Sequence, residues 1–257
     1  MWNNVRRSVS VHIGASGWHY AHWRGPFYPM DIPKSSFLEY YCRYFRSVEI
    51  NNSFYRLPAE KALAHWRDTV PEGFLFSAKA SRFITHLKKL HDAQQPLSNF
   101  LERMSVLGPK AGPVLFQLPP RWRFDAHRLC AFLDVLPEGF RYAIECRDPS
   151  WLNDFVFERL SEHGVALCIY DFNGRLSPLV ATADFVYIRL HGPDGPYRGQ
   201  YSDEALERWS KAIRQWSDEG KDVYCYFDND EAGYAPRNAL RLIEMIAAVQ
   251  AVDNQNR

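Results

Sequence analysis

The run VYIRLHG at residues 186–192 alternates β-branched and aromatic side chains, and on its second face it carries Arg189 and His191. That period of two reads as a strand whose one side packs in a core while the other presents charge. Working outward, seven further runs share the character: VHIGAS (11–16), VEINNS (48–53), FLFSAKAS (74–81), VLFQLP (114–119), YAIECRD (142–148), ALCIYD (166–171) and VYCYFDND (223–230). Most are separated by enough chain for a helix, which is the pattern of a parallel (β/α)8 TIM-type barrel. Such a barrel gathers the carboxyl ends of its strands at one mouth. Glu49, Lys79, Gln117, Glu145, Asp171, Arg189, His191 and Asp228 are therefore expected to share a pocket.

The 257 residues match the roughly 250 of one such barrel, so a single α/β domain is expected over 1–257, with its core at about 9–250. Hydrophobic residues at 46% and charged ones at 24% provide a sizeable core and exclude global disorder. A formal net charge of +1 gives no overall attraction to nucleic acid or to an anionic membrane, so any basic site must be local. The five cysteines, 42, 130, 146, 168 and 225, show no CxxC pair and no ligand-like spacing. They read as free thiols in a reducing compartment. No uncharged run reaches the roughly 18 residues of a membrane span, and Met1 to Ser8 leads into no signal-length apolar stretch. The expectation is a cytoplasmic protein.

The first strand breaks at Gly14 and Gly17 into an aromatic loop holding Trp18, Tyr20, Trp23, Phe27 and Tyr28. Helices are expected over Phe37 to Arg46, Ala59 to Thr69, Leu97 to Leu107, Asp125 to Leu136 and Trp151 to His163. A long one should follow Ser202 and a last one Gly233. Only about 14 residues separate the sixth and seventh strands, barely the dozen a crossover needs. The sixth helix is expected to be short or irregular.

Parity then assigns the interior. Val48 and Ile50 must face helices, so Glu49 and Asn51 point inward; likewise Lys79 with Ser77, Glu145 with Arg147, and Arg189 with His191. Interior charge is costly unless paired or near the open end. Three chemistries fit. In the first, Arg189 and Lys79 bind an anion while Glu49 or Glu145 moves a proton and His191 assists. In the second, Glu49, Glu145, Asp171, His191 and Asp228 hold divalent metal for phosphoester hydrolysis, although no HxH or HExxH pattern supports it. In the third, Lys79 is a Schiff-base nucleophile, which nearby carboxylates would oppose. Amides opening the last helix after Gly233 are a further candidate anion site. Trp18, Tyr20, Tyr55, Trp151 and Tyr197 lie in mouth loops where a ring could stack on a sugar or base, and His86 sits in a loop within reach of ligand.

The segments IGASGWHYAHWRGPFYP, VEINNSFYRLP, KASRFITH, VLFQLPPRW, ECRDPSW, YIRLHGP and YFDNDEAGYAPRNA resemble the YecE-like family, a bacterial and archaeal domain of unknown function, number seventy-two. The match is collinear from about Ile13 to Ala239. The resemblance implies a TIM-type barrel and brings no established reaction with it. Its motif positions fall on Ser16, Gly17, Trp18, Glu49, Asn51, Tyr55, Lys79, Thr85, His86, Gln117, Glu145, Arg147, Trp151, Arg189, His191, Gly192 and Asn229. The family often has Asn where this chain has Asp228. A loose likeness of such barrels to sugar isomerases and a metal-dependent DNA-repair endonuclease has suggested nuclease activity.

The leading expectation is a metal-independent enzyme using acid/base chemistry on a small anionic, sugar-like or phosphorylated substrate. Glu49, Lys79, Glu145 and His191 form its catalytic set. Trp18, Asn51, Tyr55, His86, Gln117, Arg147, Asp171, Arg189, Asp228 and Asn229 contact the substrate. No cofactor is expected. The alternatives are a divalent-metal phosphoesterase or endonuclease, and a non-catalytic small-molecule binding protein; nucleic acid is not favoured as partner and no membrane is expected.

Overall fold

Each of the eight runs forms a strand in the computed structural model, which describes residues 9–255 and side chains to residue 248. The strands are β1 (Val11–Ala15), β2 (Ser47–Ile50), β3 (Leu75–Lys79), β4 (Ala111–Gln117), β5 (Tyr142–Glu145), β6 (Ala166–Phe172), β8 (Phe185–Leu190) and β9 (Asp222–Phe227). They pair in parallel in the order β1-β9-β8-β6-β5-β4-β3-β2. A parallel bridge between Ser16 and Glu49 joins the two ends of that order and closes the ring.

Helices connect the strands on the outside: α1 (Phe37–Tyr41), α2 (Glu60–Thr69), α3 (Gln94–Ser105), α4 (Ala126–Leu133), α5 (Asp154–Glu162), α6 (Asp203–Asp218) and α7 (Tyr234–Gln255). Asp125 and Ser202 cap α4 and α6, accepting from the backbone N–H groups of Arg128 and Ala205. The first helix stops after five residues, half the length its apolar spacing predicts. No helix of the described residues is long and apolar enough to cross a membrane.

The sixth crossover differs from the short or irregular helix expected there. Asn173 and Gly174, both with positive φ, turn the chain into β7 (Arg175–Leu176), which pairs antiparallel with β6. The chain then returns extended, held by hydroxyls: Ser177 Oγ accepts from Tyr170 N, and Thr182 Oγ1 accepts from Leu167 N while donating to Val165 O. Twelve residues are too few for a helix with its two loops, so side-chain hydroxyls satisfy the backbone instead.

Alternation divides the strand residues as parity requires. Leu115, Ala143, Ala166, Cys168, Phe185, Tyr187, Tyr224 and Tyr226 fill the barrel interior as one buried cluster. Val48, Ile50, Phe76, Ile144, Ile188 and Cys225 join the larger core towards the helices. The Tyr226 hydroxyl sits 2.5 Å from Ser47 Oγ and 2.8 Å from Ser77 Oγ, so its burial carries no unpaired polar group. The junction of β1 and β2 is closed by side chains. Tyr41 Oη accepts from Ala15 N at 2.8 Å and donates to Ser47 O at 3.1 Å. Gly14 is needed beside it, because a Cβ there would lie 2.1 Å from Ser47 O. All five cysteines are free, four of them buried.

Candidate active site

Arg189, near the end of β8, is the centre of the mouth and is 1% exposed. Its Nη2 donates to Glu49 Oε1 at 2.8 Å and to Asp228 Oδ2 at 2.8 Å, and Nη1 donates to Glu145 Oε2 at 2.9 Å. Glu49 accepts further from Tyr187 Oη at 2.7 Å and from Ser16 Oγ in a very short contact. Asn51 Nδ2 donates to Ser16 Oγ at 2.7 Å. One guanidinium thus ties β1, β2, β5, β8 and the residue after β9 into a single network. Parity brings these residues together, since 16, 49, 145, 189 and 228 all fall on the inner face of their strands.

The arrangement removes Arg189 from the role expected of it. A guanidinium met by three carboxylates is neutralised and offers no free donor to an incoming anion. Glu49 is fully buried, and both its oxygens accept from Arg189, Tyr187 and Ser16. Burial pushes the Glu145 carboxyl up, but Arg147, Arg189 and His191 outweigh it and hold it well below its ordinary value. Asp228 follows the same pattern: burial opposes ionisation, and Arg189, His191 and Lys79 lower its pKa.

His191 lies between these groups. Its Nε2 faces Arg147 Nη2 at 3.0 Å and Arg189 Nη1 at 3.3 Å, while Nδ1 lies 3.1 Å from Asp228 Oδ2. Two guanidinium donors require an acceptor at Nε2, which assigns the ring proton to Nδ1, towards the carboxylate. Arg147 pairs through Nε with Glu145, and its guanidinium lies 4.0 Å from the centre of the Phe172 ring. Its Nη1 has no hydrogen-bond partner among the described residues.

Lys79, at the end of β3, is the cation of the mouth that no carboxylate contacts among the described residues. Its Nζ lies 4.3 Å from the centre of the Phe54 ring. Burial, helped by Arg189, outweighs the attraction of Glu145, Asp228 and Glu49 and lowers its pKa to about 8. The neighbouring carboxylates do act to raise that pKa, as expected, but burial outweighs them. His86 packs edge-on against the same ring and bonds Thr85 Oγ1 at 2.9 Å; burial, then Lys79 and Arg82, lower its pKa. Gln117 is in register with Glu145, and its Oε1, like Asn51 Oδ1, is buried without a hydrogen-bond partner.

Four predicted contact residues lie elsewhere. Asp171 falls on the outer face of β6, where its carboxylate accepts from Tyr201 Oη at 3.1 Å. Asn229 is one residue past the inward Asp228; its Nδ2 donates to Gly199 O and Asn238 Oδ1, while its Oδ1 is buried without a hydrogen-bond partner among the described residues. Tyr55 points to solvent at 74% exposure, and Trp18 packs edge-on against Trp66 and Phe76. Trp151, another ring expected in the mouth, is fully buried against Trp122 and Phe124. At the start of α7, a Cβ on Gly233 would lie 2.8 Å from Pro26, and the Asp230 carboxyl, which would repel an anion, stands near His22. Conversely, Tyr187 and Phe54 were not anticipated. Parity with Arg189 could have found Tyr187; nothing local in the sequence marks Phe54.

For metal binding, no group of three or more His, Cys, Asp or Glu side chains among the described residues is arranged to hold an ion. The carboxylates and the imidazole that would serve are interleaved with Arg147 and Arg189, and a dication would have to displace those cations.

Comparison with known proteins gives one consistent family. The family described as "Protein of unknown function DUF72" matches residues 12–257. The chain is similar to UPF0759 protein YecE of Escherichia coli (strain K12), at 33% identity over 96% of this chain and 98% of YecE. It is also similar to UPF0759 protein YunF of Bacillus subtilis (strain 168), at 25% identity over 92% and 94%. Among solved structures, a DUF72 family protein of Thermotoga maritima superposes with a TM-score of 0.84 at 28% identity, covering 93% of this chain and 99% of its own.

Proposed function

The chain belongs to the DUF72 family, and for this member we propose a metal-independent enzyme that transfers a proton on a small anionic, sugar-like or phosphorylated substrate bound in the barrel mouth. The observation that carries this reading is Lys79: a part-buried amine at a strand end, free of carboxylate contact, with its pKa lowered to about 8. An amine so tuned exchanges a proton near neutral pH, the condition for efficient general acid/base catalysis. Arg147 Nη1 is the donor for the anion, and a guanidinium already oriented by Glu145 and stacked on Phe172 loses little entropy on binding. Gln117 Oε1 and Asn51 Oδ1 supply unsatisfied acceptors, which suits the hydroxyl donors of a sugar.

In this reading Arg189, Glu49 and Asp228 shape the field of the mouth and fix His191, without touching the reacting atoms. The test is turnover of a panel of sugar phosphates and hydroxy acids, followed by mass spectrometry, with and without a chelator. The expected result is turnover that survives chelation, disappears in Lys79→Met, and shows a raised KM in Arg147→Ala. Turnover abolished by chelation, or unchanged in Lys79→Met, would refute it.

A further inference from the structure

Beside the mouth lies a separate cavity of about 360 Å³, lined by Gly17, Trp18, His19, Tyr20, Asn52 and Trp66. That size is at the lower end for a ligand site and admits about one ring. Its walls are fixed. Trp18 O accepts from Tyr28 Oη at 2.6 Å, and the Trp18 and Trp66 rings meet edge-to-face at 4.9 Å and 89°. Tyr20 Oη donates to Ser16 O at 2.8 Å, and its ring leans on Trp23 at 4.8 Å. His19 and Asn52 are exposed and give the opening a polar rim.

The cavity adjoins the charged centre through one pair of residues. Ser16, which bonds Glu49, is held by Asn51, and Asn51 precedes Asn52 of the cavity wall. No Lys, Arg, Asp or Glu side chain lines the cavity, so it does not select an ionic group. A wholly apolar guest would make no use of the rim amide and imidazole. Indole faces with an amide rim suit a ring that has C–H faces and hydroxyl edges.

We propose that this cavity is a second subsite that receives an uncharged pyranose ring. The ring lies against Trp66 and Trp18, and its hydroxyls bond Asn52 and His19. Only the further idea, that one molecule places its sugar here and its anionic group at Arg147, rests on the function proposed for the mouth.

The test uses methyl β-D-glucopyranoside, methyl α-D-mannopyranoside and N-acetylglucosamine as neutral probes, with adenosine and glucose 6-phosphate for comparison. The indole N–H signals of Trp18 and Trp66 are followed by 1H–15N NMR in the full chain. A neutral glycoside is expected to shift both signals saturably, equally in the wild type and in Lys79→Ala. Binding should weaken about tenfold in Trp66→Leu, the scale of one lost aromatic contact. It should also weaken in Asn52→Ala, whose exposed position leaves the fold intact. If no neutral glycoside moves these signals, or adenosine does so and the glycosides do not, the subsite is not for sugar. If glucose 6-phosphate proves indifferent to Lys79 and Arg147 while the glycosides still bind, the mouth reading fails and the sugar subsite stands.

Discussion

Arg189 meets Glu49 side-on, with Nη2 2.8 Å from Oε1 and Nε 3.1 Å from Oε2, and both side chains are enclosed by protein. Because Glu145 and Asp228 complete the guanidinium's contacts, removing that one cation would leave Glu49 and Asp228 without a guanidinium partner and Glu145 with Arg147 alone. Arg189→Met is therefore expected to destabilise the protein by about 3–5 kcal/mol, the cost of an uncompensated buried charge. Equilibrium urea unfolding measures it, and a loss under about 1 kcal/mol would show that the carboxylates do not depend on Arg189.

Lys79 provides a pH signature. Its pKa falls from an ordinary 10.5 in the unfolded chain to about 8 in the folded one. Between those values the unfolded chain binds the extra proton, so stability contributed by this group rises with pH from about 8 to 10.5 and is absent below 8. Lys79→Met should therefore be more stable than the wild type below pH 8, with the gap shrinking as pH climbs through that window. Acetylation of Lys79, followed by mass spectrometry, should show a midpoint near 8, well below that of the surface lysines. A midpoint above 10 would contradict the desolvation argument.

Glu145 has the opposite dependence. Its folded pKa lies below the ordinary 4.5, so its stabilising contribution is present above 4.5 and is lost as pH falls through the folded value. Glu145→Gln should be less stable than the wild type at pH 7, and the difference should narrow progressively below pH 4.5. Urea melts of both proteins at pH 7 and pH 3.5 decide this; a gap independent of pH would mean the amide disturbs packing instead.

Gly14→Ala tests how the first and second strands are held. The added methyl carbon would lie 2.1 Å from Ser47 O and 2.8 Å from Tyr41 Oη, both fixed. Overpacking of this kind costs about 1–3 kcal/mol. Thermal melts should show the loss, and hydrogen exchange should show faster exchange confined to the amides of β1 and β2. Unchanged protection there would mean that the junction yields without opening.

Much of this was legible before the structure. Side-chain alternation placed Glu49, Lys79, Glu145, Arg147, Arg189 and His191 on the interior, and they converge in the structure because a period of two is a local property of the strand. What the alternation could not convey is which partner each charge finds. Arg189 reads as an anion-binding residue from one strand alone; only the meeting of four strand ends with Asp228 reveals that its donors are spent. Asp171 and Asn229 stay out of the mouth for a simpler reason: each sits one residue out of phase with the inner face, at a strand end. At the sixth crossover the sequence shows an interval barely long enough and suggests a short or irregular helix; the hydroxyl-braced β7 hairpin found there depends on Ser177 and Thr182 meeting β6, a tertiary event.

The bridge from Ser16 to Glu49 has a further consequence. The same glutamate that anchors the guanidinium is the clasp on which the ring of strands fastens. A change of side chain here would remove the charge that meets Arg189 and the bond to Ser16 Oγ, while the bridge itself is made by backbone groups. The joint between the first and second strands therefore sits directly beside the most charged point of the mouth.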